Sequence, residues 1–126
     1  PKTKNGAILT GCKNISAIEK LGDNRVFAKD WGIELCLDTD PGLASHVGIR
    51  MHDVLCEGEQ NCFDCKVSEI IENSFSYVIM LSPFNAAGKN TELTPIGREL
   101  GKEDWQGSVS DVCKISMPPE SLLLLE

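Results

Sequence analysis

The stretch Trp31-Gly32-Ile33-Glu34-Leu35-Cys36-Leu37-Asp38 governs the reading of the chain. Trp31, Ile33, Leu35 and Leu37 share one side, and Glu34, Cys36 and Asp38 the other. Successive side chains point to opposite faces in an extended strand, so the segment predicts a half-buried strand with its odd-numbered residues inward.

The same period of two recurs further on. Phe75, Tyr77, Ile79 and Leu81 alternate with Ser76, Val78 and Met80, and Cys113, Ile115 and Met117 alternate with Lys114 and Ser116. Turn chemistry separates these runs: Gly22-Asp23-Asn24, Lys29-Asp30, Asp40-Pro41-Gly42, Glu72-Asn73-Ser74 and Pro118-Pro119. Connections this short favour antiparallel neighbours. The helical period is weak throughout. Its best candidate is Pro95 to Trp105, where Ile96, Leu100 and Trp105 would make a short stripe, so at most one short helix is expected near residues 95–105. Roughly eight short strands with almost no helix predict an all-β chain folded as an OB-like antiparallel barrel, because closure removes unpaired edges.

The length of 126 residues, 41% hydrophobic and 25% charged, suits a single domain over residues 1–126. A faint similarity between Asn14-Ile15-Ser16-Ala17-Ile18-Glu19 and the run from Asn61-Cys62-Phe63-Asp64-Cys65-Lys66-Val67 to Ile70 suggests two strand-pair units, about 8–50 and 61–126. No apolar run approaches the roughly 20 residues that span a bilayer. The start at Pro1-Lys2-Thr3-Lys4-Asn5-Gly6, without the apolar centre of a signal peptide, suggests further sequence upstream.

The net charge of −7 is uneven: residues 1–45 balance six basic against six acidic residues, and residues 46–126 set six against thirteen. An acidic surface repels phosphate backbones and anionic lipid, and no basic stripe interleaves with aromatics, so nucleic acid is excluded as a partner. The six cysteines, without an export signal, are read as cytosolic thiols.

No catalytic motif emerges, and no catalytic residue is assigned. The Gly-Lys pairs, Gly88-Lys89-Asn90 and Gly101-Lys102-Glu103, lack the rest of a phosphate-binding loop. The serine nucleophile elbow, the zinc-protease helix and the dinucleotide fingerprint are also missing from the sequence. His46 or His52 beside one of the thiols leaves a cysteine nucleophile as one alternative. A zinc module is another: His52, Cys56, Cys62 and Cys65 supply four ligands, with a two-residue gap in Cys62-Phe63-Asp64-Cys65. The stretch Leu9-Thr10-Gly11-Cys12-Lys13-Asn14-Ile15-Ser16 packs hydroxyls, a glycine, a cation and an amide before a strand. Such donors bind oxyanions, although a polar turn has the same composition.

Thr10-Gly11-Cys12-Lys13-Asn14-Ile15-Ser16 resembles the Ser-Ala-Arg-Asn opening of molybdate-binding Mop-type domains. Asn61-Cys62-Phe63-Asp64-Cys65-Lys66-Val67 is similar to the Asn-x-Phe-x-Gly-x-Val opening of transport-associated OB (TOBE) domains. His46-Val47-Gly48-Ile49-Arg50 and Pro118-Pro119-Glu120-Ser121-Leu122-Leu123-Leu124 resemble later segments of the ATP-binding subunits of importers. In order, these match the C-terminal regulatory domain of the ATP-binding subunit of a molybdate, tungstate or sulfate ABC importer. The resemblance implies a TOBE/Mop-type barrel, pairing as a homodimer and regulation by an oxyanion. It also implies an upstream domain that binds ATP and Mg, contact with membrane permease subunits through that domain, and a cytoplasmic place at the inner face of the membrane.

Carried onto this chain, the oxyanion set is Thr10, Gly11, Lys13, Asn14 and Ser16, with Asn61 and Lys66 from the second motif. Lys13 stands where the signature has arginine, so it brings charge without a planar fork. Gly11 replaces the signature serine, and Cys65 occupies the place of a glycine. A free-standing oxyanion-storage protein is the nearest rival. Trp31, Phe63 and the C-terminal leucines are interface candidates, with core burial as the alternative.

Overall fold

The computed structural model describes residues 14–126. Nine strands follow in order: β1 (Asn14–Gly22), β2 (Arg25–Ala28), β3 (Ile33–Cys36), β4 (His46–Ile49), β5 (Cys62–Glu72), β6 (Ser76–Pro83), β7 (Ile96–Gly101), β8 (Val112–Ser116) and β9 (Leu123–Leu125). Single 3-10 turns lie at Met51–Asp53, Lys102–Asp104 and Pro119–Ser121, and the described residues contain no α-helix.

Around β3 the alternation holds. Trp31, Ile33, Leu35 and Leu37 are buried, while Glu34, Cys36 and Asp38 are exposed. In β6, Ile79 and Leu81 face inward, but Val78 is buried as well, and Phe75 stands 91% exposed at the β5–β6 turn. In β8, Ile115 and Met117 are buried as the pattern requires. Ser116, expected outward, is buried too: its hydroxyl donates to the Glu57 carbonyl at 2.6 Å, and Leu55 bridges to it along the backbone.

Residues 95–105, the best helical candidate of the sequence, form no α-helix. Ile96 pairs with Leu81 and Leu100 with Tyr77, giving strand β7 with only the 3-10 turn Lys102–Asp104 after it. Gly97 and Gly101 weaken a helix, and β6 needs a partner for its free edge.

The strands form two antiparallel sheets of order β3-β2-β1-β4-β9 and β7-β6-β5-β8. The order β3-β2-β1-β4 is repeated by β7-β6-β5-β8. Each set is followed by a 3-10 turn, after which the chain crosses to the other sheet. Beyond the Met51–Asp53 turn, Leu55 pairs with Ser116 of β8; beyond the Pro119–Ser121 turn, Leu123 pairs with Gly48 of β4. Both sheets curl around one core, in which Trp31, Leu35, Ile49, Ile79, Leu81, Ile96, Ile115 and Met117 are fully buried. Each such side chain contributes about 1.5–3 kcal/mol. Trp31 is therefore a core residue, and Phe63 and Leu122 to Leu124 are half-buried.

Candidate functional site

Of the N-terminal oxyanion set, Thr10, Gly11 and Lys13 lie outside the described residues. Asn14 opens β1 and is buried; its Nδ2 donates to the Gly97 carbonyl at 2.7 Å and its Oδ1 accepts from the Gly97 N–H at 2.8 Å. Ser16, fully buried, donates to the Ala17 carbonyl at 2.8 Å and accepts from the Asp30 N–H at 3.0 Å. Asn61, just before β5, mirrors Asn14. Its Oδ1 accepts from Cys36 N–H at 2.8 Å, and its Nδ2 donates to the carbonyls of Cys36 and Met117, both at 2.9 Å. Both asparagines thus knit one sheet to the other.

Lys66 is placed differently. It sits on β5 between buried Cys65 and Val67, so alternation turns its side chain outward, opposite Ser82 of β6. Five residues at a strand's rise put it roughly 16 Å from Asn61, so the two do not share a site. Lys66 lines a cleft of about 420 Å³ with Ser68, Ser82, Asn90 and Ser110, rimmed by Leu93, Pro95 and Val109. A register shift between Val67 and Glu69 brings Ser68 into the wall, and its hydroxyl donates to the Met80 carbonyl at 3.1 Å. Asn90 is fixed by donating to the Ser82 carbonyl at 2.9 Å and accepting from the Glu92 N–H at 3.2 Å. Ser110 has φ 77°, and its N–H donates to Val67 at 2.8 Å. The one acidic lining residue is Glu92, and among the described residues Lys66 forms no ion pair. A lone cation among hydroxyls and an amide suits a small oxyanion.

A larger cleft, of about 710 Å³, is lined by Phe27, Phe63 and Phe84 with Glu34 and Asp64. It carries no cation in its lining, so it is the poorer place for an anion despite its size.

The four residues of the zinc reading are not brought together: no group of His, Cys, Asp and Glu among the described residues is placed to hold a metal. Three residues apart on β5, Cys62 and Cys65 point to opposite faces. Cys65 is buried, the Cys62 thiol donates to the Gly58 carbonyl at 3.1 Å, and His52 is exposed beside Asp53. Burial pushes the Cys65 thiol up to about 12, and the neighbouring Cys113 and Asp64 add to the rise. Cys113 is raised as well, mainly by burial, against the lowering influence of Arg98.

No family model matches the chain, and no curated protein does. Solved structures do match. One is a crystal structure of the cytoplasmic molybdate-binding protein ModG, in its form grown from polyethylene glycol with molybdate bound. It is 12% identical in sequence, with a TM-score of 0.60 over 90% of this chain and 92% of that one. The chain has the fold of ModG. The all-β, OB-like antiparallel architecture expected from the sequence is the observed one. No helix among the described residues is long and apolar enough to cross a membrane.

Sequence reasoning picked out Lys66 but missed Ser68, Ser82, Asn90 and Ser110. They reach the cleft through strand pairing and backbone turns, and the one local hint was the Gly88-Lys89-Asn90 turn composition.

Proposed function

We propose that this chain is an oxyanion-binding regulatory module that takes a tetrahedral dianion of the molybdate, tungstate or sulfate class in the Lys66 cleft. The observation that carries this reading is Lys66 itself, a cation without an ion-pair partner among the described residues, in a wall of hydroxyl and amide groups. Four oxygens pointing in four directions are met better by Ser82, Ser110, Asn90 and a rotatable ammonium than by one planar group. The fold shared with a molybdate-bound protein supports the choice of ligand. Thr10, Gly11 and Lys13 stay proposed as oxyanion contacts on the strength of the resemblance alone, with Asn14 and Ser16 holding the start of β1 in place.

In the wider reading, the module is the C-terminal, dimerising domain of the ATP-binding subunit of an ABC importer. It works in the cytoplasm against the inner face of the membrane, where the upstream domain binds ATP and Mg and meets the permease, and anion occupancy restrains transport. The free-standing oxyanion store draws support from the 92% coverage of ModG. An ATPase joined upstream whose turnover falls as anion is added belongs to the first reading only.

Calorimetric titration with molybdate, tungstate and sulfate tests the core of the proposal. Saturable heat for at least one anion, weakened at least about tenfold in Lys66→Ala, is expected from the loss of a charge-assisted contact. No heat for any of the three up to about 1 mM overturns it. Lys66 is exposed, so the variant keeps its core.

A further inference from the structure

Three of the four phenylalanines in the chain converge on one feature, the cleft of about 710 Å³ bordered by both sheets. Phe27 comes from β2, where it pairs across the ladder with Glu34 of β3; Phe63 comes from β5; Phe84 follows β6. All three are half-buried, so each leaves part of its ring accessible. The volume lies within the range of small-molecule sites.

The charged residues in the lining itself are both acidic. Asp64 and Glu34 line the cleft, and no lysine or arginine does. Glu34 is held by Arg25, whereas Asp64 is exposed and forms no ion pair among the described residues, although Lys114 stands opposite it on β8. Its backbone is anchored, because its carbonyl accepts from the Phe84 N–H at 2.8 Å.

The far wall is both small and fixed. Ala86, Ala87 and Gly88 contribute almost no side chain, which leaves the space open. The Asn85 side chain accepts from the N–H groups of Ala87 and Lys89 at 3.0 and 3.1 Å, and the Asn85 carbonyl accepts from Gly88 at 2.9 Å. A wall held in this way needs little ordering when a ligand enters.

We propose that this cleft binds a small organic cation, an alkylated ammonium, with the apolar shell of the cation against the accessible edges of Phe27, Phe63 and Phe84 and its charge within Coulomb range of the Asp64 carboxylate at the rim. The negative faces of aromatic rings attract such cations, and a carboxylate at the edge of the cleft adds a Coulomb term. An oxyanion is repelled by the same groups. The site is separate from the Lys66 cleft and does not rest on the oxyanion reading.

The test uses the full chain and two probes of nearly the same shape: choline, a quaternary ammonium, and 3,3-dimethyl-1-butanol, its neutral analogue. Binding is followed by calorimetry and by chemical-shift changes at Phe27, Phe63, Asp64 and Ala87. Saturable choline binding about tenfold tighter than that of the alcohol, with shifts confined to these residues, is the expected result. Asp64→Asn should weaken choline about fivefold and leave the alcohol unchanged, and because Asp64 is exposed the variant keeps its fold. Phe63→Leu, checked by circular dichroism, should weaken choline too. Equal binding of both probes, no saturable choline binding, or shifts elsewhere overturns the proposal. So does a dimer that fills the cleft and falls apart in Phe63→Leu while choline stays unbound.

Discussion

Asn14 grips the backbone of Gly97 with both ends of its side-chain amide, donating to the carbonyl at 2.7 Å and accepting from the N–H at 2.8 Å. The residues lie 83 apart in sequence, so this pair joins the first strand of one sheet to the edge strand of the other. Truncation would leave a buried N–H and carbonyl on Gly97 without this partner. Asn14→Ala should therefore cost about 1–3 kcal/mol, read as a lower urea midpoint with an unchanged slope. Asn14→Asp can still accept but sets a carboxylate against the Gly97 carbonyl, so it should not restore stability.

Asn61 makes the equivalent grip on Cys36 and adds a bond to Met117, but with a left-handed backbone at φ 51°. Asn61→Ala loses the three side-chain bonds and takes on the left-handed strain, about 1–2 kcal/mol for an ordinary residue. Asn61→Gly loses the bonds but not the conformation. Thermal unfolding should rank wild type above Asn61→Gly and Asn61→Gly above Asn61→Ala. An alanine variant at least as stable as the glycine variant would refute the role of the backbone.

Such pairs also show where the sequence stops being readable. The alternation of Trp31 to Asp38 is local, because a strand with one wet face imposes a period of two on its own residues, and it specified β3 and its burial. Ile96 and Leu100 misled for a physical reason: a spacing of four puts two residues on one face of a helix and equally on one face of a strand. Ser116 breaks its pattern because Leu55 and Glu57 cover it from 59 residues away or more. Lys66 was singled out only through the resemblance of Asn61 to Val67 to the opening of TOBE domains. Ser82, Asn90 and Ser110 join it only once β5 pairs with β6 and the loops close, and no local pattern encodes that meeting.

Cys65 supplies a prediction in pH. Its thiol is raised from 9.0 to about 12 in the folded chain, first by burial and then by Cys113 and Asp64. The folded state therefore holds the proton more tightly than the unfolded state. The stabilisation this gives is fully present below about pH 9 and falls away as pH rises from 9 toward 12. Urea midpoints across that window should decline, and Cys65→Ala should decline less steeply from a lower start. In the native state at pH 8, iodoacetamide should modify exposed Cys36 and Cys56 well before Cys65. Early labelling of Cys65 would contradict its placement.

Gly32 meets a different constraint. Its φ is 70°, and a methyl group there would lie 2.9 Å from Thr91 Cγ2 and 3.0 Å from Leu93 Cδ1. Gly32→Ala should be destabilised by strain and by contact together, about 1–3 kcal/mol. Thr91→Ala on that background relieves part of the crowding and should recover some of the loss, whereas the left-handed strain should persist. Full recovery would show that contact alone is responsible.

The crossing of the last strand gives the sharpest test of the architecture. Leu125 ends β9, is fully buried and extends the ladder of β4, whereas Leu55, which bridges to β8 after the first crossing, is 42% exposed. Leu125→Ala should cost about 2–3 kcal/mol and Leu55→Ala less than about 1 kcal/mol. Removing residues 123–126 does more than delete apolar area: it bares the hydrogen-bonding edge of β4, whose Val47 and Ile49 are fully buried. An unpaired edge beside core residues recruits another strand. The truncated chain should therefore sediment as a concentration-dependent oligomer with weakened stability, and a free peptide carrying the β9 sequence should return it to the state of the intact chain. A truncated chain that matches the intact one in both sedimentation and stability would show that β9 does not complete the sheet.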